Sequence, residues 1–326
     1  MKKSKIKIAL IGAGGWGMQH ARIFNDREDV DFCSITGRTP EKTIARAKKF
    51  GVRHYLNIQE MLDKERPDLV SLCLPNMGHF DATMQVIRAG YPLLVEKPLV
   101  FDLTQADILL EEAKKQNLFF AINFNHRYAQ PVQMAHKAIL EGRLGQLAFA
   151  TWRFGGSGGN CPNHENLIET QCHGFDMLEF LCGRIDSVAA QITDAEDMKF
   201  STMALALHFE NGAVGSLVGS YNSSYSYPDT HLVEINGLDG RLMIEDTVRR
   251  FSLQRNDSET REVWEAGYFN DIDREFHRTF DKHIDAIITA FRADKEPPIH
   301  ARAGRRALEL ARAAIRSFEE RRTVQT

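Results

Sequence analysis

The stretch Ile6 to Ile11 is almost wholly apolar and ends abruptly in Gly12-Ala13-Gly14-Gly15-Trp16-Gly17. A near-continuous apolar run is what a parallel strand buried on both faces requires, and the glycines mark the turn that follows it. Strand-like runs recur at Val30 to Thr36, Leu69 to Leu74, Leu93 to Val95 and Phe119 to Phe124. Helical patterns over Glu41 to Phe50, Phe80 to Ala89 and Thr104 to Lys115 separate them. This alternation predicts a doubly wound parallel sheet with right-handed crossovers, an α/β Rossmann domain over residues 1–123.

Beyond residue 145 strands follow one another directly: Gln146 to Trp152, Met203 to Phe209, Ala213 to Ser220, His231 to Asn236, Leu242 to Glu245 and Arg250 to Gln254. Antiparallel pairing is the simplest reading, with Asn211-Gly212 and Gly237 to Gly240 supplying turns that need positive φ. Residues 124–326 are therefore expected to form an α+β domain with a large, mostly antiparallel open sheet, serving substrate binding and oligomerisation. Helices are expected at Thr279 to Phe291 and Arg302 to Glu319. A chain of 326 residues agrees with two domains, since one takes roughly 150. An open sheet backed by helices on one side leaves apolar surface to cover, which predicts a homodimer or homotetramer.

Composition removes several classes of function. Lys and Arg number 41 against 44 Asp and Glu, a formal net charge of -3, so no overall field recruits nucleic acid or an acidic membrane. No apolar run reaches the roughly 18 residues that a membrane helix needs. Five cysteines without a C-x-x-C pair read as reduced thiols in the cytoplasm rather than a disulfide framework.

The glycine turn fills a G-x-G-x-x-G pattern between the first strand and the first helix. Gly12 permits the tight turn, Gly14 lets backbone approach a pyrophosphate, and Gly17 allows close helix packing, with Gly15 and Trp16 in the same turn. A purely structural glycine turn is the competing reading. About 20 residues on, a site preferring NAD places an acid for the ribose 2′-hydroxyl. Here Thr36-Gly37-Arg38-Thr39 offers no carboxylate. Arg38 and Thr39 suit a 2′-phosphate, so the cofactor is NADP or NAD, with NADP favoured. Arg38 could equally stack on adenine or be a solvated loop residue.

Glu96-Lys97-Pro98 follows a strand, at the sheet edge where open α/β folds bind ligands. Lys97 there can touch cofactor and substrate, and Pro98 favours an extended pose for it. A surface ion pair between Glu96 and Lys97 is the bland alternative. Between Leu167 and Leu181, a helix would put Glu169, His173 and Asp176 on one face. A carboxylate one turn from a histidine can orient it as a general base, although a task-free helix surface reads the same way. Cys161, His164, Cys172 and His173 have side chains that can bind zinc, but two tight ligand pairs are missing and no metal is expected. Arg127, Trp152, Arg153, His164 and Tyr225 to Tyr227 are candidates to reach a substrate, or ordinary packing residues.

With these segments together, the chain resembles the Gfo/Idh/MocA family, the glucose–fructose oxidoreductase and inositol dehydrogenase group. The resemblance rests on Gly12 to Gly17, Leu74-Pro75-Asn76 with His79, Ala89-Gly90, Glu96-Lys97-Pro98 and Asn125-His126-Arg127-Tyr128. The helix with Glu169 to Asp176, Phe209-Glu210-Asn211-Gly212, Ile235-Asn236-Gly237 and the terminal helix agree with it. It implies that Lys97 bridges the cofactor ribose and the substrate hydroxyl and that His173 is the acid/base. It also implies that Pro75, Asn76, His79 and Glu96 line the cofactor cleft and that Arg127 faces the substrate. Many members have an aspartate where this chain has Glu169. The implied activity is hydride transfer between nicotinamide and a secondary hydroxyl of a sugar or cyclitol. Two alternatives use the same parts: a cofactor-retaining, redox-neutral lyase, glycosidase or epimerase, and a non-catalytic nucleotide-sensing regulator.

Overall fold

The computed structural model describes residues 5–75, 78–156, 163–194, 199–267 and 274–326. They fall into two units, Met1–Asn123 with Phe280–Arg305, and Phe124–Thr279 with Arg306–Thr326.

The first unit alternates β1 (Ile6–Ile11), α1 (Gly15–Asn25), β2 (Val30–Thr36), α2 (Pro40–Phe50), β3 (Arg53–Tyr55), α3 (Ile58–Glu65), β4 (Leu69–Leu72), α4 (His79–Arg88), β5 (Leu93–Val95), α5 (Leu103–Lys115) and β6 (Phe120–Ile122). The sheet runs in the order β3-β2-β1-β4-β5-β6 and every pair is parallel. Strands β4, β5 and β6 are buried at every residue, which explains their uninterrupted apolar character. Local signals set the helix ends. Pro40 opens α2, and Gly51 closes it at φ 67°, a left-handed cap that glycine enters without strain. Asn57 and Asp102 cap α3 and α5 by accepting from the Glu60 and Gln105 amides. Strand order reverses between β1 and β4, and a crevice at that switch point is where such sheets bind ligands.

In the second unit α6 (Gln130–Leu140) and α7 (Cys172–Cys182) accompany β7 (Leu147–Gly155), β8 (Ile185–Thr193), β9 (Thr202–Phe209), β10 (Val214–Ser220), β11 (His231–Gly237), β12 (Gly240–Glu245), β13 (Arg250–Arg255) and β14 (Arg261–Glu265). After them come α8 (Arg278–Arg292), α9 (Arg302–Glu320) and β15 (Val324–Gln325). The nine strands lie in the order β14-β13-β12-β11-β7-β10-β9-β8-β15. The sheet is mostly antiparallel, as expected, and β7 and β10 pair in parallel within it. The reason is connectivity: α7 and the β8–β9 pair intervene, and this long crossover returns the chain in its original direction.

The division at residue 124 also needs one correction. Residues 280–305 belong to the first unit. There Asp281 and Asp285 on α8 pair with Arg22 and Arg27 at 2.9 and 2.8 Å, Phe291 meets Phe119 edge-on, and His300 bridges to Ala121. Pairings between residues more than 170 positions apart leave no local trace in a sequence.

Candidate functional site

The glycine turn of the first unit is a cradle built by exclusion. A Cβ on Gly12, which sits at φ +125°, would collide with the Cys73 carbonyl, and one on Gly17 would collide with the Gly12 carbonyl. Both positions therefore demand glycine so that β1, α1 and the end of β4 can close up. Gly14 and Gly15 face open space instead. Gly14 is the N-cap of α1 and supplies no side-chain bond to this 11-residue helix, and a helix start of this kind is where an anion is received. These residues fit a dinucleotide pyrophosphate. Trp16 is exposed on one side and stacks on Phe280 at 5.4 Å.

Past β2, Gly37 packs so closely on Thr43 and Ala13 that a side chain there would strike the Thr43 hydroxyl, itself bonded to the Thr39 carbonyl at 2.8 Å. An acid cannot be accommodated at Gly37. Arg38 and Thr39 are exposed, and Arg46 from α2 brings its guanidinium to the Ala13 carbonyl at 3.5 Å. Sequence reading missed Arg46, because only the α2 packing brings it back to the turn.

At the far ends of β4 and β5, Pro75 is exposed, and Asn76 lies outside the described residues. His79 is buried, with its ring nitrogens 2.9 and 2.7 Å from the Pro98 and Leu74 carbonyls. It therefore fastens two loop backbones together rather than presenting its ring to a cofactor, a correction to its expected place. Glu96 is 3% exposed. It accepts from His20 Nε2 at 2.9 Å, Asn123 Nδ2 at 2.6 Å and the Lys97 amide at 3.2 Å. It is thus neither a surface ion pair nor a cleft-lining group. Burial pushes its carboxyl up, but the His20 bond and charge, the Asn123 bond and the Lys97 charge together hold it below its ordinary value. Lys97 is half-buried and joined to Pro98 by a cis peptide.

In the second unit Glu169, His173 and Asp176 do not share one regular α-helix. Glu169 lies in a π-helical turn, Asn166–Thr170, and α7 begins only at Cys172, so ordinary helical spacing is lost between them. Glu169 accepts from the hydroxyls of Thr170 at 2.7 Å and Tyr221 at 3.1 Å. Burial and the Glu169 charge push the Tyr221 hydroxyl far above its ordinary range. His173 is 6% exposed, and its ring stacks on His126 with centroids 3.9 Å apart and planes 10° from parallel. Asp176 takes a two-pronged bond from Arg127, at 2.8 and 2.6 Å. Burial lowers the Arg127 guanidinium, but the Asp176 charge and bond more than compensate and hold it above its ordinary value. Arg127 also lies over Phe180, so it braces α7 where contact with substrate had been expected. Trp152 is 0% exposed and donates its indole N–H to Gln171 at 2.9 Å. It is a core residue and not a substrate contact.

Of the zinc alternatives, Cys161 lies outside the described residues, and the Cys172 thiol donates to the Glu169 carbonyl at 3.0 Å. Among the described residues the metal-capable cluster is a different one, His20 with Cys73 and Glu96.

Family profiles match nearly the whole chain: an oxidoreductase family with an NAD-binding Rossmann fold over residues 6–124, and its C-terminal alpha/beta domain over residues 132–326. The chain belongs to the Gfo/Idh/MocA oxidoreductases. Among relatives of this Gfo/Idh/MocA member, the myo-inositol 2-dehydrogenase of Thermotoga maritima is 24% identical over 98% of both chains. Two solved structures share the fold. Levoglucosan dehydrogenase with NADH and levoglucosan aligns at a TM-score of 0.90, 17% identical over 99% of each chain. The WlbA dehydrogenase of Bordetella pertussis with NADH and UDP-GlcNAcA aligns at 0.86, 20% identical, over 100% of this chain and 99% of that one. The present chain is accordingly an NAD(P)-dependent dehydrogenase with an NAD-binding Rossmann domain. Among its described residues no helix is long and apolar enough to cross a membrane.

Proposed function

We propose that this oxidoreductase moves a hydride between a secondary hydroxyl of a sugar or cyclitol and NADP, with Lys97 and His173 as its catalytic residues. The observation that carries the reading is the pairing, in one unit, of an uncapped glycine cradle with Lys97 at the end of β5 in the same parallel sheet. Relatives named for inositol and levoglucosan support the substrate class, and their being dehydrogenases disfavours the redox-neutral and regulatory alternatives. When bound, the nicotinamide supplies the hydride acceptor. Lys97 holds the substrate oxygen as negative charge develops on it, and His173 takes the hydroxyl proton. Glu169, through Tyr221 and Thr170, sets the turn that leads into His173.

Preference for NADP rests on Gly37, which leaves no room for an acid, and on two guanidiniums, Arg38 and Arg46, near the turn. A planar guanidinium matches a 2′-phosphate bidentately. A homodimer or homotetramer is the assembly that the second unit's sheet suggests, because Phe149 on β7 and its β10 partner Val214 are both exposed, with Val218 two steps further on the same face. Calorimetric titration with NADP and NAD tests the cofactor reading. NADP should bind more tightly, and Arg38→Ala should erase about tenfold of that preference. Tighter NAD binding indifferent to Arg38 would overturn the preference, and no binding of either would overturn the dehydrogenase reading.

A further inference from the structure

Behind Lys97 lies a buried polar chain whose donors all point one way. An ionised carboxylate only accepts, so Glu96 fixes its partners: His20 must carry its proton on Nε2, and the Asn123 amide must turn Nδ2 inward. Asn123 Oδ1 is then left to accept from His283 Nδ1 at 2.7 Å. His20 Nδ1 in turn meets the Ser71 hydroxyl at 2.9 Å. His20, Ser71 and His283 are each 0% exposed, and His20 is further covered edge-on by Phe24 and Phe280. Five elements of the first unit converge here: α1, β4, the β5 end, the β6 end and α8.

A buried carboxylate with these bonds is costly unless its charge has a use or a partner. Its chain neighbour is Lys97, whose charge favours the ionised form of Glu96. By reciprocity the ionised Glu96 favours the ammonium form of Lys97. The other titratable groups facing Glu96 are His20, His283 beyond Asn123, and Cys73. Burial and the Glu96 charge keep the Cys73 thiol well above its ordinary value, hence neutral.

We propose that His20 is a positioning residue for Lys97: by donating to Glu96 it fixes that carboxylate in place, and so holds the following lysine in its working pose. The inference builds on the reading of Lys97 as catalytic, but the link from His20 to Lys97 can be measured without turnover. Full-length wild type, His20→Leu, His20→Gln and Glu96→Gln are acetylated competitively from neutral to alkaline pH, and Lys97 modification is followed by peptide mass spectrometry. Gln at position 20 keeps a donor near Glu96 but cannot take up a proton.

The apparent pKa of Lys97 should fall by about one unit in Glu96→Gln, which removes the neighbouring charge; in His20→Leu it should shift the same way by less, as the loosened carboxylate moves from Lys97, and His20→Gln should stay near wild type. Turnover of NADP with myo-inositol or glucose, where present, should fall about tenfold in kcat for His20→Leu, with KM changed less. Lys97 titrating alike in wild type and Glu96→Gln, or His20→Gln behaving as His20→Leu, overturns the proposal. The Glu96→Gln comparison stands even if His20→Leu does not fold. A shifted Lys97 titration together with full turnover in a Lys97→Ala variant would leave the link intact and overturn the catalytic reading instead.

Discussion

An ammonium beside a developing alkoxide is effective because its position is paid for before the reaction begins. Lys97 is half-buried and follows a fully supported carboxylate, which is the preorganisation such a role needs. Lys97→Ala should therefore lower turnover about 100-fold or more while the cofactor dissociation constant, read by calorimetry, changes little. Equal turnover in the two proteins would remove Lys97 from the chemistry. Lys97 was readable because Glu96-Lys97-Pro98 is a contiguous signal at a strand end. Trp152 and Arg127 were not, since an aromatic or an arginine in a sequence carries no mark of its burial. Their partners Gln171 and Asp176 lie 19 and 49 residues on. His20 was equally silent, being joined to Ser71 and Glu96 across 51 and 76 residues.

Elements divide in the same way between what is local and what is not. The β1 turn α1 unit was legible because its glycines stand together in the sequence, although Gly12 answers to the Cys73 carbonyl beyond β4, and the cradle gives a test at this scale. Gly14 has φ −77° and no atom within 4 Å of a would-be Cβ, so Gly14→Ala should leave the melting temperature of the cofactor-free protein unchanged. The added methyl stands where a pyrophosphate approaches, and NADP affinity should drop about tenfold or more. Gly17→Ala forces its methyl against the Gly12 carbonyl and should destabilise the protein itself by about 1–3 kcal/mol. Thermal melts with and without NADP separate the two, and a Gly14→Ala protein that binds normally would deny the cradle its ligand. Short elements escaped notice: β3 has three residues with two exposed, too few for a period to show. The π-turn at Glu169 escaped because helical spacing is blind to an inserted residue. The parallel β7–β10 pair depends on a crossover, which no window of adjacent residues contains.

Across the whole molecule, two buried groups make the units answer differently to acid. In the second unit His231 is buried, bonded through Nδ1 to Thr247 at 2.7 Å and set edge-on against Trp152 at 4.4 Å. Burial lowers it to about 3. The folded state thus refuses a proton that the unfolded chain accepts below about 6.5. The resulting stability is fully present above that pH and is lost as pH falls toward 3, at about 1.4 kcal/mol per unit. In the first unit burial opposes the charge of Glu65, but bonds from Arg53, Tyr55 and Lys7 carry it down to about 2. Its contribution is intact above about 4.5 and is lost only between there and 2. The second unit should therefore begin to loosen at mildly acid pH, where the first unit still keeps its Glu65 anchor. Amide exchange at pH 7 and 5.5, corrected for intrinsic rates, should show protection falling first around β11 and β7. His231→Phe keeps a flat ring on Trp152 but removes the titration and the Thr247 bond. At neutral pH it should cost about 1 kcal/mol, and its stability should decline less steeply than wild type between pH 6.5 and 5. If both proteins lose stability at the same rate over that interval, His231 is not the group that couples the second unit to acid.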